Sequence, residues 1–465
     1  MGLGTSIFAF IRESFIIILY FGGIITAIVA IFRKAEWGLL LMVALIPQPN
    51  ISYKLYGFPI GKDFLDVLFI AVGIGIFVNK RGFEKAGNSV LIVILILVSY
   101  LALWNSSVHF SLPLPISYAH PLIKPWKCYV TMVGMYLLTF NAIKDNENQR
   151  KILAVLMALV VLFISFRSYR SFTAGASFIE DSRAGGPFWI VGLGSNHFGA
   201  FTVYCSAVFL GLFFLDKNRW RRILFLGLVL FSLHPLFFSY SRGAYVGALV
   251  ALVFFGLVQK RSLLVLVVAL AIAWQTLLPA SVVERISMTK TETMEGQMEV
   301  EHSAAVRFGL WNLGWNLFME NPVIGVGYGG FEFSVPDGEF KRWKDTHNYY
   351  LKMLAEQGIV GFGLFLTVLF VSFRSGWRLW KAGKEGFEKG LGLGFMGCVL
   401  ACACTNLFGD RWSYFEMGSY FWIFWGLVDR YVVISRENNG IHREREEGNE
   451  IIGTQESSNT GETKV

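Results

Sequence analysis

The chain has 465 residues, 54% of them hydrophobic and only 16% charged, and its mean hydropathy is positive. That balance excludes an ordinary soluble domain and a disordered chain and points to a polytopic membrane protein. The formal charge of +8 raises nucleic acid as a partner, but the basic residues lie in short loops between apolar runs, where they set topology instead; no nucleic acid is expected.

In chain order the sequence gives about thirteen apolar segments: 15–32, 37–46, 64–78, 90–104, 128–140, 152–166, 198–215, 223–238, 244–258, 263–278, 349–373, 391–407 and 415–434. Lipid offers no hydrogen bonds to a bare backbone, so these are expected to be helices; the runs are too long and uniform for barrel strands. Several fall short of the ~20 residues a straight span needs. The expectation is therefore an all-α polytopic membrane protein, a bundle of about 12–13 transmembrane helices with one large loop late in the chain. The expected parts are N-terminal transmembrane helices over 1–278, the large loop over 279–346, C-terminal transmembrane helices over 347–434, and a tail over 435–465. That tail is polar and charged, and disorder is expected of it.

Alternate loops carry the basic residues, from Arg33 and Lys34 through Lys144, Arg150 and Lys151 to Arg374, Arg378 and Lys381. By the positive-inside rule these loops and the C-terminus are cytoplasmic. Loops 105–127, 167–196, 239–243, 279–346 and 406–414 then share the outer side. The basic pair Arg33–Lys34 follows the first apolar run, and no small-residue cleavage site appears, so a cleavable signal peptide is not expected. The cysteines Cys128, Cys205, Cys398, Cys402 and Cys404 all lie in apolar stretches, which suits helix packing better than disulfides or zinc.

The stretch from His302 to Glu356 concentrates the chemistry. Arg307, Trp311 and Trp315 recur four apart and share a helical face. Such a helix can lie at the membrane interface with its arginine snorkelling, or hold that arginine over an anionic headgroup. Asn321–Pro322 stops it. Gly325-Val-Gly327-Tyr-Gly329-Gly330 has the GxGxxG spacing, but no strand precedes it, so it reads as a tight turn that lets backbones approach, not a dinucleotide site. His347 stands before a long apolar helix, beside Asn348; an imidazole there is either structural or a general base. Lys352 and Glu356 are spaced as an i,i+4 pair.

Further outer-side features are Arg183, the turn Ser239-Tyr-Ser-Arg242-Gly243, and Ser195-Asn196-His197, where Ser195 or Asn196 would cap the next helix. Asp410–Arg411, in the last outer turn, can be a plain ion pair or part of the site; the sequence leaves both open. No DxD, no HExxH and no carboxylate cluster is present, so neither metal nor cofactor is expected. Several arginines and one base suit a substrate with an anionic leaving group.

These motifs together, R-x-x-G-P-F from Arg183, S-N-H-F-G from Ser195, S-R-G-A from Ser241, R-x-x-x-W from Arg307, N-P-V-I-G-V-G from Asn321, and H-N-Y-Y-L-x-x-L-x-E-x-G-I-V-G from His347, resemble the bacterial O-antigen ligase and polymerase family. The similar region spans about 180–375. The resemblance implies an inner-membrane, metal-independent, inverting glycosyltransferase. It would move a glycan from undecaprenyl diphosphate, on the periplasmic side, to an acceptor hydroxyl on a glycan, lipid A core or protein. His347 would be the general base; Arg183, Arg242 and Arg307 would bind the diphosphate; Asn196, Gly325, Gly327 and Asn348 would support the site. A repeat polymerase or a protein O-glycan transferase would share that donor site. A lipid-linked sugar transporter is the competing class, but it favours charged or broken midplane helices, and these apolar runs carry few charges. A non-catalytic assembly partner would tolerate substitution of these arginines and His347.

Overall fold

In the computed structural model the described residues are 2–79, 82–85, 87–144, 146–172, 183–287, 290–292, 298–300, 302–336 and 345–459. The chain is all-α and polytopic. Its helices are α1 (Gly2–Phe32), α2 (Ala35–Leu45), α3 (Pro49–Ser52), α4 (Phe64–Asn79), α5 (Ser89–His109), α6 (Ile123–Ala142), α7 (Glu147–Ser171), α8 (Ser195–Leu215), α9 (Arg219–Phe238), α10 (Arg242–Val258), α11 (Ser262–Leu277), α12 (Ala280–Ser287), α13 (His302–Glu320), α14 (Gly330–Ser334), α15 (Tyr349–Ala382), α16 (Gly386–Thr405) and α17 (Phe415–Asn459). Two three-residue strands, β1 (Lys290–Glu292) and β2 (Met298–Val300), pair antiparallel in the late loop.

Each of the thirteen apolar runs falls on a helix. Among the described residues seven helices are long and apolar enough to cross a membrane, or eight if α11 and α12, bent by 103°, count as one span. The rest are short or polar: α4 has 16 residues, which reach only about 24 Å. Helix starts follow local chemistry. Asn146 accepts from Gln149 N at 3.2 Å, Asn218 from Arg221 N at 3.0 Å and Ser241 from Ala244 N at 3.3 Å, each satisfying an orphan first-turn donor. The backbone of α17 is helical to Asn459.

The centre of the bundle is α8, α16 and α17. A Cβ at Gly211 would overlap the Gly394 backbone, and one at Gly394 would overlap the Val208 carbonyl. Glycine lets α8 and α16 touch backbone to backbone, the small-residue packing that membrane helices use. Cys205, Cys398 and Cys402 are buried within this contact region, and all five cysteines are free. Helix α17 is buried on all sides over its middle turns, where Trp422 stacks on Trp425 with centroids 5.4 Å apart, and its buried Asp429 and Arg430 are paired, with Tyr136 and Glu84.

Hydrogen bonds sort the loops into two ends. At one end Glu84 pairs with Lys144 (3.0 Å) and Arg430 (2.8 Å), Lys151 with Glu385 (2.9 Å), and Arg221 with Asp216 (2.7 Å). At the other, Asn105 binds the Gly325 carbonyl (2.9 Å), Arg183 binds the Ser239 carbonyl (2.7 Å), Tyr240 binds Ser281 (2.9 Å) and Lys352 binds Asp410 (2.8 Å). The partition matches the division of the loops by charge, and the candidate site lies at the second end.

Candidate active site

The site is framed by a break in α15. Gly358 has φ 59° and ψ −158°, so the helix runs as Tyr349–Gln357, turns, and resumes. The donors freed by the break are taken up by the proline turn: Ile359 N donates to Pro322 O (2.8 Å) and Val360 N to Val323 O (3.3 Å). The freed acceptors are taken up by the glycine turn: Val326 N donates to Ala355 O (3.0 Å) and Gly327 N to Glu356 O (2.8 Å). Gly325 and Gly327 therefore do close the approach that the spacing suggested. A side chain at Gly325 would overlap the Glu356 backbone, and one at Gly327 that of Ser106. Glu356 Oε2 accepts from Gly329 N at 3.0 Å. Lys352 reaches Asp410 instead of pairing with Glu356.

His347 sits where α15 begins. Asn348 is its N-cap, accepting from Tyr350 N (3.1 Å) and Leu351 N (3.3 Å). His347 itself has φ 54°, left-handed and strained for a residue with a side chain. Its neighbours fix it there. Thr346 Oγ1 donates to Asn348 O (2.7 Å), and Trp311 Nε1, from α13, donates to Thr346 O (2.9 Å). Helix α13 buries Val306 and Leu310 against Phe331, Val335 and Ala355. Trp315 stays 51% exposed, so it does not share the inward role of Trp311. Arg307, half-buried on the same helix, stands within electrostatic reach of His347.

Burial pushes the His347 imidazole below its ordinary value; Arg307 and Arg411 push the same way, and Asp345 opposes them. The ring is thus held in the neutral, proton-accepting form. Burial alone would raise the Asp410 carboxyl, but Lys352 at 2.8 Å and the Trp412 and Ser413 amides, at 3.0 and 2.9 Å, hold it below the usual range. Asp410 and Arg411 are not partners in a plain ion pair: Asp410 takes Lys352, and Arg411 Nη1 lies 2.7 Å from His197 Nε2.

Arg183 clamps the neighbouring turn. Its Nε and Nη2 donate to Ser239 O (2.9 and 2.7 Å), and Nη2 also donates to Asn196 Oδ1 (2.8 Å). Asn196 is therefore a partner of Arg183 and not a helix cap; Gly194 occupies the cap position of α8. Arg242 opens α10 directly after that turn. Arg183 meets Asn196, whose neighbour His197 meets Arg411, and Arg411 and Arg307 both lie within electrostatic reach of His347; together these residues make a polar seam. Among the described residues no three histidine, cysteine or carboxylate side chains converge as a metal-ligand set. Sequence reasoning noted His197 and Arg411 without giving either a role in the site, and gave none to nearby Asp345. What joins these residues is contact between segments far apart in the chain. The buried pair His120 and Ser107 (3.0 Å) is structural: His120 Nδ1 accepts from Leu122 N, so Nε2 donates to the hydroxyl and cannot take its proton.

The bundle and its polar end define a polytopic membrane protein. The family model described as O-antigen ligase matches residues 227–366, and over this stretch the chain is similar to the O-antigen ligase family. The match takes in Arg242, Arg307, Gly325, Gly327, His347 and Asn348. Arg183, Asn196, Asp410 and Arg411 lie outside it. A comparison with curated proteins returns no match. The family implies glycosyltransferase or ligase-type activity, with a lipid-linked glycan and an acceptor as substrates in general.

Proposed function

We propose that this protein transfers a glycan from undecaprenyl diphosphate to an acceptor hydroxyl at the periplasmic face of the inner membrane, without a metal. The observation that carries the reading is the convergence of Arg307 and Arg411 on His347, a histidine fixed in a strained backbone conformation and kept neutral. His347 takes the acceptor's hydroxyl proton while that oxygen attacks the anomeric carbon. The bond from that carbon to the diphosphate breaks, and its electron pair leaves with the diphosphate. Arg183, Arg242 and Arg307 bind and neutralise the departing anion, standing where a metal would in other transferases. Attack opposite the leaving group inverts the carbon. The basic residues of the opposite end support a cytoplasmic placement for that end and for the C-terminus.

Complementation tests this reading. In a deletion strain, His347→Ala at wild-type membrane levels is expected to lose the surface glycan and accumulate carrier-linked precursor. Long accumulated chains identify transfer of finished glycan to lipid or protein; single repeats identify a polymerase. Full restoration by His347→Ala refutes the base role.

A further inference from the structure

Two buried polar atoms at this end, one in the seam and one beside it, have no hydrogen-bond partner among the described residues. Arg411 Nη1 lies 2.7 Å from His197 Nε2, and a guanidinium can only donate, so Nε2 accepts and the neutral ring carries its proton on Nδ1. That Nδ1 is buried and makes no full hydrogen bond to a described residue, although the Asp410 backbone lies close enough to interact with the ring. Tyr414 stands edge-on to the ring, with centroids 4.8 Å apart and planes at 87°. Asp345 shows the reverse. Its Oδ2 accepts from Asp410 N at 3.4 Å, while Oδ1 is buried and has no donor among the described residues. One idle donor and one idle acceptor thus flank the same two residues, Asp410 and Arg411. Both side chains also lie within electrostatic reach of His347. Buried polar atoms are almost always paired, so this arrangement asks for a ligand.

The ligand's chemistry follows from the two atoms. A phosphate oxygen would accept from His197 but would set its charge against the Asp345 carboxylate. A neutral group that both accepts and donates satisfies each without repulsion. We propose that His197 and Asp345 form a sugar subsite, in which adjacent hydroxyls of one ring accept from His197 Nδ1 and donate to Asp345 Oδ1. This rests on the glycosyl-transfer reading above and adds to it where a sugar, as distinct from the diphosphate, is held. The diol can belong to the donor's carrier-proximal sugar or to the acceptor.

The test uses the full chain in nanodiscs, with undecaprenyl diphosphate and undecaprenyl diphosphate N-acetylglucosamine as binding probes, alongside complementation. His197→Gln keeps an acceptor for Arg411 but vacates the Nδ1 position; His197→Asn keeps a donor near Nδ1 but vacates Nε2. A subsite on the donor sugar predicts that His197→Gln and Asp345→Asn weaken the sugar-bearing lipid about tenfold, leave the bare diphosphate within about twofold, and that His197→Asn restores part of the loss. A subsite on the acceptor predicts wild-type binding of both lipids, with loss of surface product and precursor accumulation in His197→Gln and Asp345→Asn but less in His197→Asn. The inference is overturned if the bare diphosphate weakens as much as the sugar-bearing lipid. It is also overturned if His197→Asn is worse than His197→Gln, which marks a purely structural ring, or if neither variant changes anything while wild type binds. Failure of wild type to bind either lipid overturns the donor reading and this inference together.

Discussion

Replacing Lys352 by methionine tests the most demanding interaction at this end of the bundle. Lys352 Nζ sits 2.8 Å from Asp410 Oδ2, and the two side chains are 19% and 0% exposed. Methionine keeps the length and apolar stem of lysine, so the packing loss is small. What remains is a buried carboxylate with two backbone amides and no cation. Breaking a buried pair in this way costs about 3–5 kcal/mol, which is roughly two to three and a half powers of ten in the folded-to-unfolded ratio. The double variant Lys352→Met/Asp410→Asn removes both charges and is expected to recover most of the loss, since neutral replacements of buried pairs are often tolerated.

The pH dependence has opposite signs in the two proteins. In wild type the Asp410 carboxyl is depressed, so its contribution is present above the unfolded value and lost as pH falls through the folded one. In Lys352→Met the same carboxyl is raised by burial, so the defect is largest near neutrality and shrinks as acid protonates it. Tryptophan-monitored unfolding of the purified protein in nanodiscs reads the variant's effect between pH 8 and pH 5 and the wild-type effect below about pH 4, under the unfolded aspartate value. If Lys352→Met is as stable as wild type, or if the double variant is no better than the single one, the pair does not hold this end together.

Three further outcomes are expected. Gly358→Ala forces a side chain into a left-handed backbone and into the Val323 carbonyl, and should sharply lower the level of folded protein in membranes; Gly363→Ala, where nothing lies within 4 Å, should not. Trp311→Phe removes the bond to Thr346 O, worth about 1 kcal/mol, and should slow transfer several-fold at unchanged protein level; unchanged rates would show that this bond does not position His347. Because His347 is depressed, the neutral base persists below the ordinary histidine range. Transfer rate should hold as pH falls through 6.5 and drop only below it, whereas Arg307→Gln should move that drop to higher pH. The same depression means the contribution of His347 to stability is lost as pH falls below the unfolded value.

The helices and their grouping into two ends were legible in the sequence because lipid imposes strong rules. An apolar run in hydrocarbon has to be helix, and basic loops mark one side. The glycine turn was legible too, as Gly325 and Gly327 are required wherever backbones meet. The family resemblance brought His347, Arg242 and Arg307 forward, and the match over 227–366 supports that family. Side-chain partners were another matter. Lys352 at i,i+4 from Glu356 reaches Asp410, 58 positions away in the chain, and Arg411 next to Asp410 reaches His197, 214 away. Local spacing favours near neighbours, but once water is excluded every charge must find a partner in three dimensions, and the partner is whichever segment the packing brings there. Sequence alone decided that this chain is a membrane helix bundle with a late segment that carries Arg307 and His347. Only the tertiary structure decided that His197, Asp345 and Arg411 complete it, because their meeting depends on contacts between α8, the late loop and the α16–α17 turn.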